Sequence, residues 1–304
     1  MLQFSITQLS NVFRFSSVIR CAQIAILIAV CATCMSTGVV HAQQLTSGSS
    51  GKQFRQEGIA AVPFQLLNKE TAAKLKPVLD KPSLYRRLPK MAIECDQDYF
   101  RFLIRYPEVI VEIWKLMGVT KMDSSRVGPY RLASDDGAGT LSDLELVYGD
   151  GKKHIYYGNG TYEGPLLRRK LSGKCVIILQ TEHGLDEKGK PQAVNQLDVY
   201  LRIDNAAAGA IARTLQPLVG PTADHNFVES LKFIERLHGT TVRNGPGVQS
   251  MGERLDLLPE VLQGFQQVAG LAYERGNASP QEPIGAGSDR RVSSGPEKRT
   301  FKSR

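Results

Sequence analysis

The stretch Leu197-Asp198-Val199-Tyr200-Leu201-Arg202-Ile203-Asp204 decides the fold class of this chain. Its apolar residues fall on every second position, which predicts an extended strand with one apolar face and one polar face. After Asn205 the spacing becomes helical, and Pro221 is expected to break this helix into two pieces. The apolar positions of the helix are Ile211, Leu215, Leu218, Phe227, Val228, Leu231 and Ile234. A strand that leads directly into a C-terminal helix predicts a sheet packed against that helix.

The preceding sequence predicts further strands joined by short turns. The candidate strands span residues 127–132, 141–148, 153–157, 166–171 and 174–181. Gly149-Asp150-Gly151 is a strong hairpin signal, and Gly158-Asn159-Gly160 and Ser172-Gly173 are expected to form turns as well. Successive strands with short connections pair as an antiparallel meander. The predicted class is therefore α+β, with a meandering antiparallel sheet gripping a long, Pro-broken C-terminal helix and with extra flanking helices.

Helical patterns lie on both sides of the strands. Residues 70–80 predict a short helix that ends before Pro82. Residues 96–118 predict two short helices divided at Pro107, because an aspartate can cap the first and proline can open the second. Residues 253–274 carry apolar side chains at helical spacing. Such an amphipathic helix docks on its own domain or on a partner or membrane surface.

The N-terminus has the layout of a secretory signal peptide. Arg14 and Arg20 precede an apolar run over residues 22–30, and Val40-His41-Ala42 supplies small residues for cleavage after about Ala42. We therefore predict an exported protein of the periplasm or the extracellular space. The alternative is an uncleaved membrane anchor, because the apolar region 21–40 approaches the roughly 20 residues that span a bilayer.

Composition divides the chain into five segments. They are a signal peptide at 1–42, a flexible leader at 43–58, an α+β domain at 59–242, a linker with an amphipathic helix at 243–275, and a disordered basic tail at 276–304. The leader and the tail are assigned from their Gly, Ser, Pro and polar content. The single folded domain is long enough to bury a core of its own.

The formal net charge of +8 does not indicate a nucleic-acid partner. Arg14 and Arg20 lie in the predicted signal, and the tail holds six Lys or Arg against three acidic residues, so the folded part is only mildly basic. Nucleic-acid binding requires a basic stripe on a folded face with stacking aromatics or a recognisable module. The sequence shows neither, and we predict no nucleic-acid partner.

Two of the five cysteines, Cys95 and Cys175, lie outside the predicted signal. An oxidising compartment permits a disulfide between them. Two buried thiols explain the same residues equally well. The sequence leaves both alternatives open.

The sequence contains no motif that assigns a catalytic residue, a metal ligand or a cofactor. No two histidines after the signal are spaced for a helical metal pair, and no Gly-x-Ser-x-Gly elbow occurs. Glu182-His183, with Asp186 nearby, is the best acid and imidazole cluster. Neighbouring strand residues face opposite sides, however, which favours an exposed loop histidine.

Aromatic and apolar residues on the predicted sheet and helices are candidates for lining a cavity. A curved sheet with a helix across it leaves a concave apolar space between them. The candidates are Trp114, Tyr130, Tyr148, Tyr156, Ile177, Tyr200, Phe227 and Leu231. Purely structural packing of these side chains is the alternative interpretation.

The order of these elements resembles the START-like helix-grip superfamily, which includes polyketide cyclases and lipid-transfer proteins. Pro107-Glu108-Val109 and Ile113-Trp114 look like its early helix, and Asn226-Phe227-Val228-Glu229-Ser230-Leu231-Lys232-Phe233-Ile234 looks like its final helix. The resemblance covers about residues 84–238. The leader, the break at Pro221 and the additional helix after Gly252 depart from it. The resemblance implies a cavity for an apolar or amphipathic ligand between helix and sheet.

We therefore expect an exported, non-enzymatic protein that binds a lipid or another apolar small molecule. One alternative is an envelope protein-interaction or membrane-surface module that acts through the helix at 253–274 and the basic tail. A second alternative is a cyclase-like or hydrolytic enzyme that uses a tyrosine or His183 in the same cavity.

Overall fold

The computed structural model describes residues 43–44, 46–164, 170–204 and 208–278, with side chains described from residue 46 onward except at 208–219. The predicted signal at 1–42, most of the predicted strand at 166–171 and nearly all of the predicted tail lie outside the described residues.

A nine-stranded antiparallel sheet forms the centre of the fold. Strands β4 to β9 follow one another as a meander, which confirms the predicted α+β class and strand pairing. Both β2 and β3 pair with the outer edge of β9, and β1 pairs with β3. The strands are β1 (Gln43–Gln44), β2 (Leu84–Arg87), β3 (Met91–Glu94), β4 (Asp123–Gly128), β5 (Arg131–Asp135), β6 (Thr140–Gly149), β7 (Lys153–Tyr162), β8 (Leu171–Leu185) and β9 (Pro191–Ile203).

Helices cover both faces of this sheet. Two of them, with a short 3-10 turn at Phe64–Leu66, pack on the face that we call the outer face. The others contribute to the core on the opposite, inner face. The helices are α1 (Lys52–Ala60), α2 (Lys69–Asp80), α3 (Gln97–Arg105), α4 (Glu108–Leu116), α5 (Ala208–Arg243), α6 (Gly245–Gly252) and α7 (Pro259–Asn277).

The two short helices predicted around Pro107 are α3 and α4. The side chain of Asp96 caps α3 by accepting hydrogen bonds from the backbone N–H groups of Asp98 and Tyr99, at 2.9 and 3.1 Å. Both helices bury an apolar face in the inner core. An ion pair between Glu108 and Arg126, 2.5 Å from carboxylate to Nε, ties α4 to the edge strand β4.

The leader predicted at 43–58 is largely structured, which corrects the sequence interpretation. It contributes β1 and most of α1. Gly58 allows α1 to lie close to the sheet, because a Cβ at this position would come within 2.3 Å of the Tyr200 hydroxyl and 3.0 Å of the Asp198 carboxylate. A polar, glycine-containing stretch is thus ordered by a tertiary contact that its composition does not reveal.

The polar face predicted for β9 is buried, because α1 and α2 cover it. Asp198 and Tyr200 have no exposed surface. The Asp198 carboxylate accepts hydrogen bonds from the Tyr85 hydroxyl at 2.7 Å and from Nε and Nη2 of Arg87 at 2.9 and 3.1 Å. Arg87 also donates to Glu57 of α1 at 2.7 Å. We call Tyr85, Arg87 and Asp198 the outer-face polar cluster.

The long helix α5 continues through Pro221, whereas the sequence predicted a break there. Proline removes one backbone hydrogen bond, and a helix can continue through it as a bent element. The predicted linker at 243–275 contains α6 and then α7. The apolar side of α7 is buried within the domain through Val261, Phe265, Ala269 and Ala272. None of the described helices has both the length and the apolarity needed to cross a bilayer.

We predict that Arg87→Met lowers the free energy of unfolding by about 3–5 kcal/mol, because it leaves the Asp198 carboxylate buried without its cation. Urea denaturation followed by circular dichroism measures this change. Glu57→Gln is the matched control, since the Glu57 side chain is 45% exposed and its contribution is screened by water. An Arg87→Met midpoint equal to that of the Glu57→Gln control would contradict a stabilising role for the outer-face polar cluster.

Candidate functional site

The inner face of β7 presents two different surfaces along its length. Alternation along the strand directs His154, Tyr156, Gly158, Gly160 and Tyr162 to this face. At one end His154 and Tyr156 are buried, and the Tyr156 hydroxyl donates a hydrogen bond to the backbone carbonyl of Ile104 in α3. At the other end the glycines leave the backbone of the sheet without side chains. The glycine end is therefore the candidate binding surface.

Gly158, Gly160 and Gly173 lie inside β7 and β8, not in the turns that the sequence predicted. Gly160 pairs directly with Gly173, and Gly158 pairs with Cys175. A Cβ at Gly158 would come within 2.6 Å of the Cys175 Sγ and 3.3 Å of a Leu144 methyl carbon. Glycine inside a strand marks a place where another group approaches the backbone closely. Here the thiol of Cys175 fills part of that space.

A recess lies over these glycines, and we call it the glycine recess. It offers space for the centres of water-sized molecules over about 30 Å³, compared with the ~10–15 Å³ that one water needs. It is therefore large enough for a small apolar group and too small to enclose a whole lipid. Its lining comes from β7, β8 and β9. Besides the glycines and the strand backbone, it consists of the side chains of Tyr162, Leu171, Cys175, Leu201 and Ile203.

The described side chains on the inner lining of the glycine recess carry no formal charge. Lys174 borders the recess, but alternation places its side chain on the outer face, where its ammonium lies 3.7 Å from the carboxylate of Asp204. Cys175 is 1% exposed, and burial raises the pKa of its thiol to about 12. The thiol is therefore neutral at physiological pH. The recess suits an uncharged, apolar group.

Five of the eight predicted cavity residues meet in the inner core. Trp114, Tyr156, Ile177, Phe227 and Leu231 are each buried to at least nine-tenths and belong to one continuous hydrophobic cluster. The Trp114 ring packs against Phe233 with centroids 5.5 Å apart. These residues form packed core between the sheet and its helices, and none of them lines the recess.

The other three candidates lie elsewhere. Tyr130 is 66% exposed at the turn between β4 and β5. Tyr200 lies on the outer face, where its hydroxyl donates to the backbone carbonyl of Arg55 at 2.7 Å. Tyr148 also faces outward, because a β-bulge after Leu146 shifts the register and reverses the side-chain alternation that the sequence suggested.

Cys95 and Cys175 are free, buried thiols. Burial raises the pKa of Cys95 well above its ordinary value, as it does for Cys175. The sequence left open a disulfide or two buried thiols, and the structure contains two separate thiols. Cys175 belongs to the recess lining and Cys95 lies just before the cap of α3.

The histidines do not lie in the glycine recess. His183 is on β8, ten positions beyond Gly173 in sequence, which is about 33 Å along an extended strand. Its ring packs edge-on against Phe100 of α3, with centroids 6.0 Å apart. Burial, with the positive charge of Arg101, lowers the pKa of His183. It is thus a partly buried histidine, which corrects its interpretation as an exposed loop residue, and it is remote from the recess.

The sequence pattern does not predict the recess, because Gly158, Gly160 and Gly173 stand in stretches that are typical of turns. A signal was nevertheless present. Gly158 and Gly160 are two apart, as are Gly173 and Cys175, so both pairs fit the spacing of one strand face. Aromatic and β-branched residues before Gly158 and after Cys175 favour strand on both sides.

Comparisons with known proteins add little to this description. No family model and no curated protein matches the sequence. Among solved structures, the chain is similar to the di-domain ARO/CYC BexL from the BE-7585A biosynthetic pathway, with 15% sequence identity and a TM-score of 0.32. The match covers 55% of this chain and 54% of that chain, so the chain spans about half the length of the protein it matches. A similarity at this score establishes neither the family nor the activity.

We predict that Gly158→Ala lowers the free energy of unfolding by about 1–3 kcal/mol, because the added methyl group meets the Cys175 thiol. Adding Cys175→Ala should recover part of the loss. Gly184→Ala is the matched control in β8, since no atom lies within 4 Å of its Cβ position. Thermal denaturation of the four proteins measures the effect, and equal tolerance of alanine at both glycines would contradict the close contact.

Proposed function

We propose that this protein is an exported, non-enzymatic binding protein whose glycine recess holds an apolar group of a small molecule. The observation that carries the proposal is the recess itself, where glycines at adjoining positions of β7 and β8 expose the sheet backbone inside an apolar rim. The ligand inserts one apolar end, and the rest of its length lies outside the recess.

The chemistry of the rim supports an apolar ligand. Leu171, Leu201 and Ile203 supply apolar contact area, and the thiol of Cys175 is buried and neutral. Burial of apolar surface contributes roughly 25 cal/mol per Å², so a small inserted group gives weak to moderate affinity unless further contacts add to it. We infer a ligand larger than the recess, which is anchored by its inserted end.

The position of His183 supports binding over the form of the catalytic alternative that relies on this histidine. The imidazole lies at the opposite end of β8 from the recess and packs on α3, so it does not share a site with a molecule bound over the glycines. The helix α7 packs its apolar side into its own domain, so that side is already covered and does not favour a partner-binding role.

The resemblance to the helix-grip superfamily agrees with this proposal. In the structure, as in that resemblance, a meandering sheet packs its inner face against a long C-terminal helix. We include helix-grip membership in the proposal. It rests on the order of the elements and on their packing.

We predict that Gly160→Leu weakens binding of an uncharged fluorescent probe, N-phenyl-1-naphthylamine, by about tenfold or more. The added side chain occupies the recess, and overlap costing 1–3 kcal/mol corresponds to a change of that order. Fluorescence titration of the purified protein measures the affinity. Native mass spectrometry of protein purified under mild conditions shows whether a co-purified apolar molecule is lost at the same time.

Asn159→Leu is the matched control for this experiment, because residue 159 precedes Gly160 on β7 and is exposed on the other face of the strand. It adds the same side chain without entering the recess. Equal probe affinity in wild type, Gly160→Leu and Asn159→Leu would exclude the glycine recess as the binding site.

We also propose that residues 1–42 direct export and are then removed. Expression of the full chain with a C-terminal tag in a Gram-negative host should place the protein in the periplasmic fraction. Its intact mass should correspond to a chain that begins at Gln43. Recovery of the full-length mass in the membrane fraction would support the uncleaved anchor instead.

A further inference from the structure

Three histidines pack around the short helix α3. Outside the predicted signal the sequence contains four histidines, at positions 154, 183, 225 and 238. His154 comes from β7, His183 from β8 and His238 from α5, while His225 is exposed on α5. The three come from elements that are distant in sequence, so only the tertiary fold brings them to one helix.

His238 contacts the start of α3. Its Nε2 accepts a hydrogen bond from the backbone N–H of Asp96, the cap of α3, at 3.2 Å. Its ring lies edge-on to Tyr99, with centroids 5.5 Å apart. An Nε2 that accepts a hydrogen bond is unprotonated, so Nδ1 carries the proton. Its Nδ1 makes no hydrogen bond of full geometry to a described residue, although the backbone of Glu94 favours a proton on this ring.

His154 lies on the inner face of β7, where the charges of Arg101 and Arg105 of α3 act on it. It is 3% exposed and sits two residues before Tyr156, whose hydroxyl bonds to the Ile104 carbonyl of α3. Neither ring nitrogen hydrogen-bonds to a described residue. Gly149 of β6 pairs with His154 in the sheet, and a Cβ at Gly149 would lie 3.7 Å from the His154 Nε2. Because this residue is glycine, β6 presents no side chain to that nitrogen from this position.

The charges that face these histidines come from every element around α3. Burial, together with the positive charges of Arg105 and Arg101 and with His183, lowers the pKa of His154 to about 4 against the opposing carboxylate of Asp150. Arg101 and the carboxylates of Asp96 and Asp98 act on His183, and the carboxylates of Asp96 and Glu94 act on His238. Burial still lowers the pKa of both. Arg275 of α7 binds Asp96 and Asp98 at 2.8 and 3.0 Å, which partly neutralises them.

We propose that α3 is an acid-released element, which separates from the inner face of the sheet when the three histidines around it become protonated, before the rest of the domain unfolds. The neutral form of each ring is the one that the packed state accommodates. Protonation of His238 removes the acceptor for the Asp96 N–H. Protonation of His154 adds a charge that Arg105 and Arg101 oppose and Asp150 favours, on a ring whose nitrogens have no hydrogen-bond partner among the described residues. This inference is independent of the proposed ligand.

The lowered pKa values determine how the stability of the packed state of α3 changes with pH. Above about pH 6.5 the histidines are neutral in both states, and the packed state of α3 is fully stable. As the pH falls, protons bind first to the released state, so packing weakens between about 6.5 and 4. For His154 alone, with a pKa lowered from 6.5 to about 4, the opening constant rises by roughly 30-fold at pH 5.

Release of α3 exposes an apolar surface that is otherwise buried. Phe100, Leu103 and Ile104 are each at most 4% exposed in the packed state. Phe102 also packs against Phe265 of α7, with ring centroids 6.4 Å apart. The released helix therefore uncovers its own apolar face and part of the inner sheet around Tyr156. Acid would create a surface for apolar contacts at the end of the sheet opposite the glycine recess.

Hydrogen–deuterium exchange with mass spectrometry tests this proposal on the full chain. Exchange of peptides covering 97–105 is compared at about pH 7 and about pH 5 after correction for the intrinsic exchange rate. We expect protection of these peptides to fall by at least tenfold at the lower pH. Peptides covering 69–80, in α2 on the outer face, should keep their protection. Parallel loss of protection in both helices, or no change in α3, would overturn the proposal.

Single variants identify the responsible groups. His154→Gln and His183→Gln should each reduce the pH-dependent difference in α3, whereas His225→Gln should leave it unchanged because His225 is exposed. If His154→Gln destabilises the whole domain, the titration of His154 in the wild-type protein, followed by NMR of the ring protons, provides the second measurement. A normal pKa near 6.5 for His154 would also overturn the proposal.

Discussion

Burial of the Asp198 carboxylate constrains the architecture more than any other single contact. The carboxylate has no exposed surface and lies in the middle of the sheet, where it persists only with Tyr85 and Arg87 as partners. Burial, together with the hydrogen bond to this carboxylate, raises the pKa of the Tyr85 hydroxyl. Arg87 also donates to the Glu57 carboxylate and to the Phe54 carbonyl of α1, so the cluster lies at the contact between α1 and the sheet.

Because α1 and α2 cover the outer face, we place the proposed ligand on the inner face. There the helices α3, α4 and α5 fill most of the available volume with large side chains such as Trp114 and Phe227. Within the part of the chain that the structure describes, the glycines of β7 and β8 leave one part of this packed surface without side chains. A binding protein can thus combine a stable core with a local recess on the same face of one sheet.

Much of the secondary structure follows from the sequence pattern. Alternation identified β9, the Asp-Gly turn identified the hairpin of β6 and β7, and Pro107 with Asp96 identified α3 and α4. The errors have specific physical causes. Pro221 did not end α5, because propensity yields to packing, and Tyr148 changed face because a β-bulge shifted its register. The sequence pattern did not predict the candidate site, because it indicated neighbouring core residues and placed Gly158, Gly160 and Gly173 in turns.

By itself the sequence determined the α+β class, the meander and the apolar inner face, because these depend on the period of hydrophobic residues along the chain. Only the tertiary structure decided which polar residues are buried, where Gly160 meets Gly173, and which histidines surround α3. Those properties depend on contacts between segments far apart in the chain: Asp198 with Arg87, β7 with β8, and His238 with Asp96. Local periodicity carries no information about such partners.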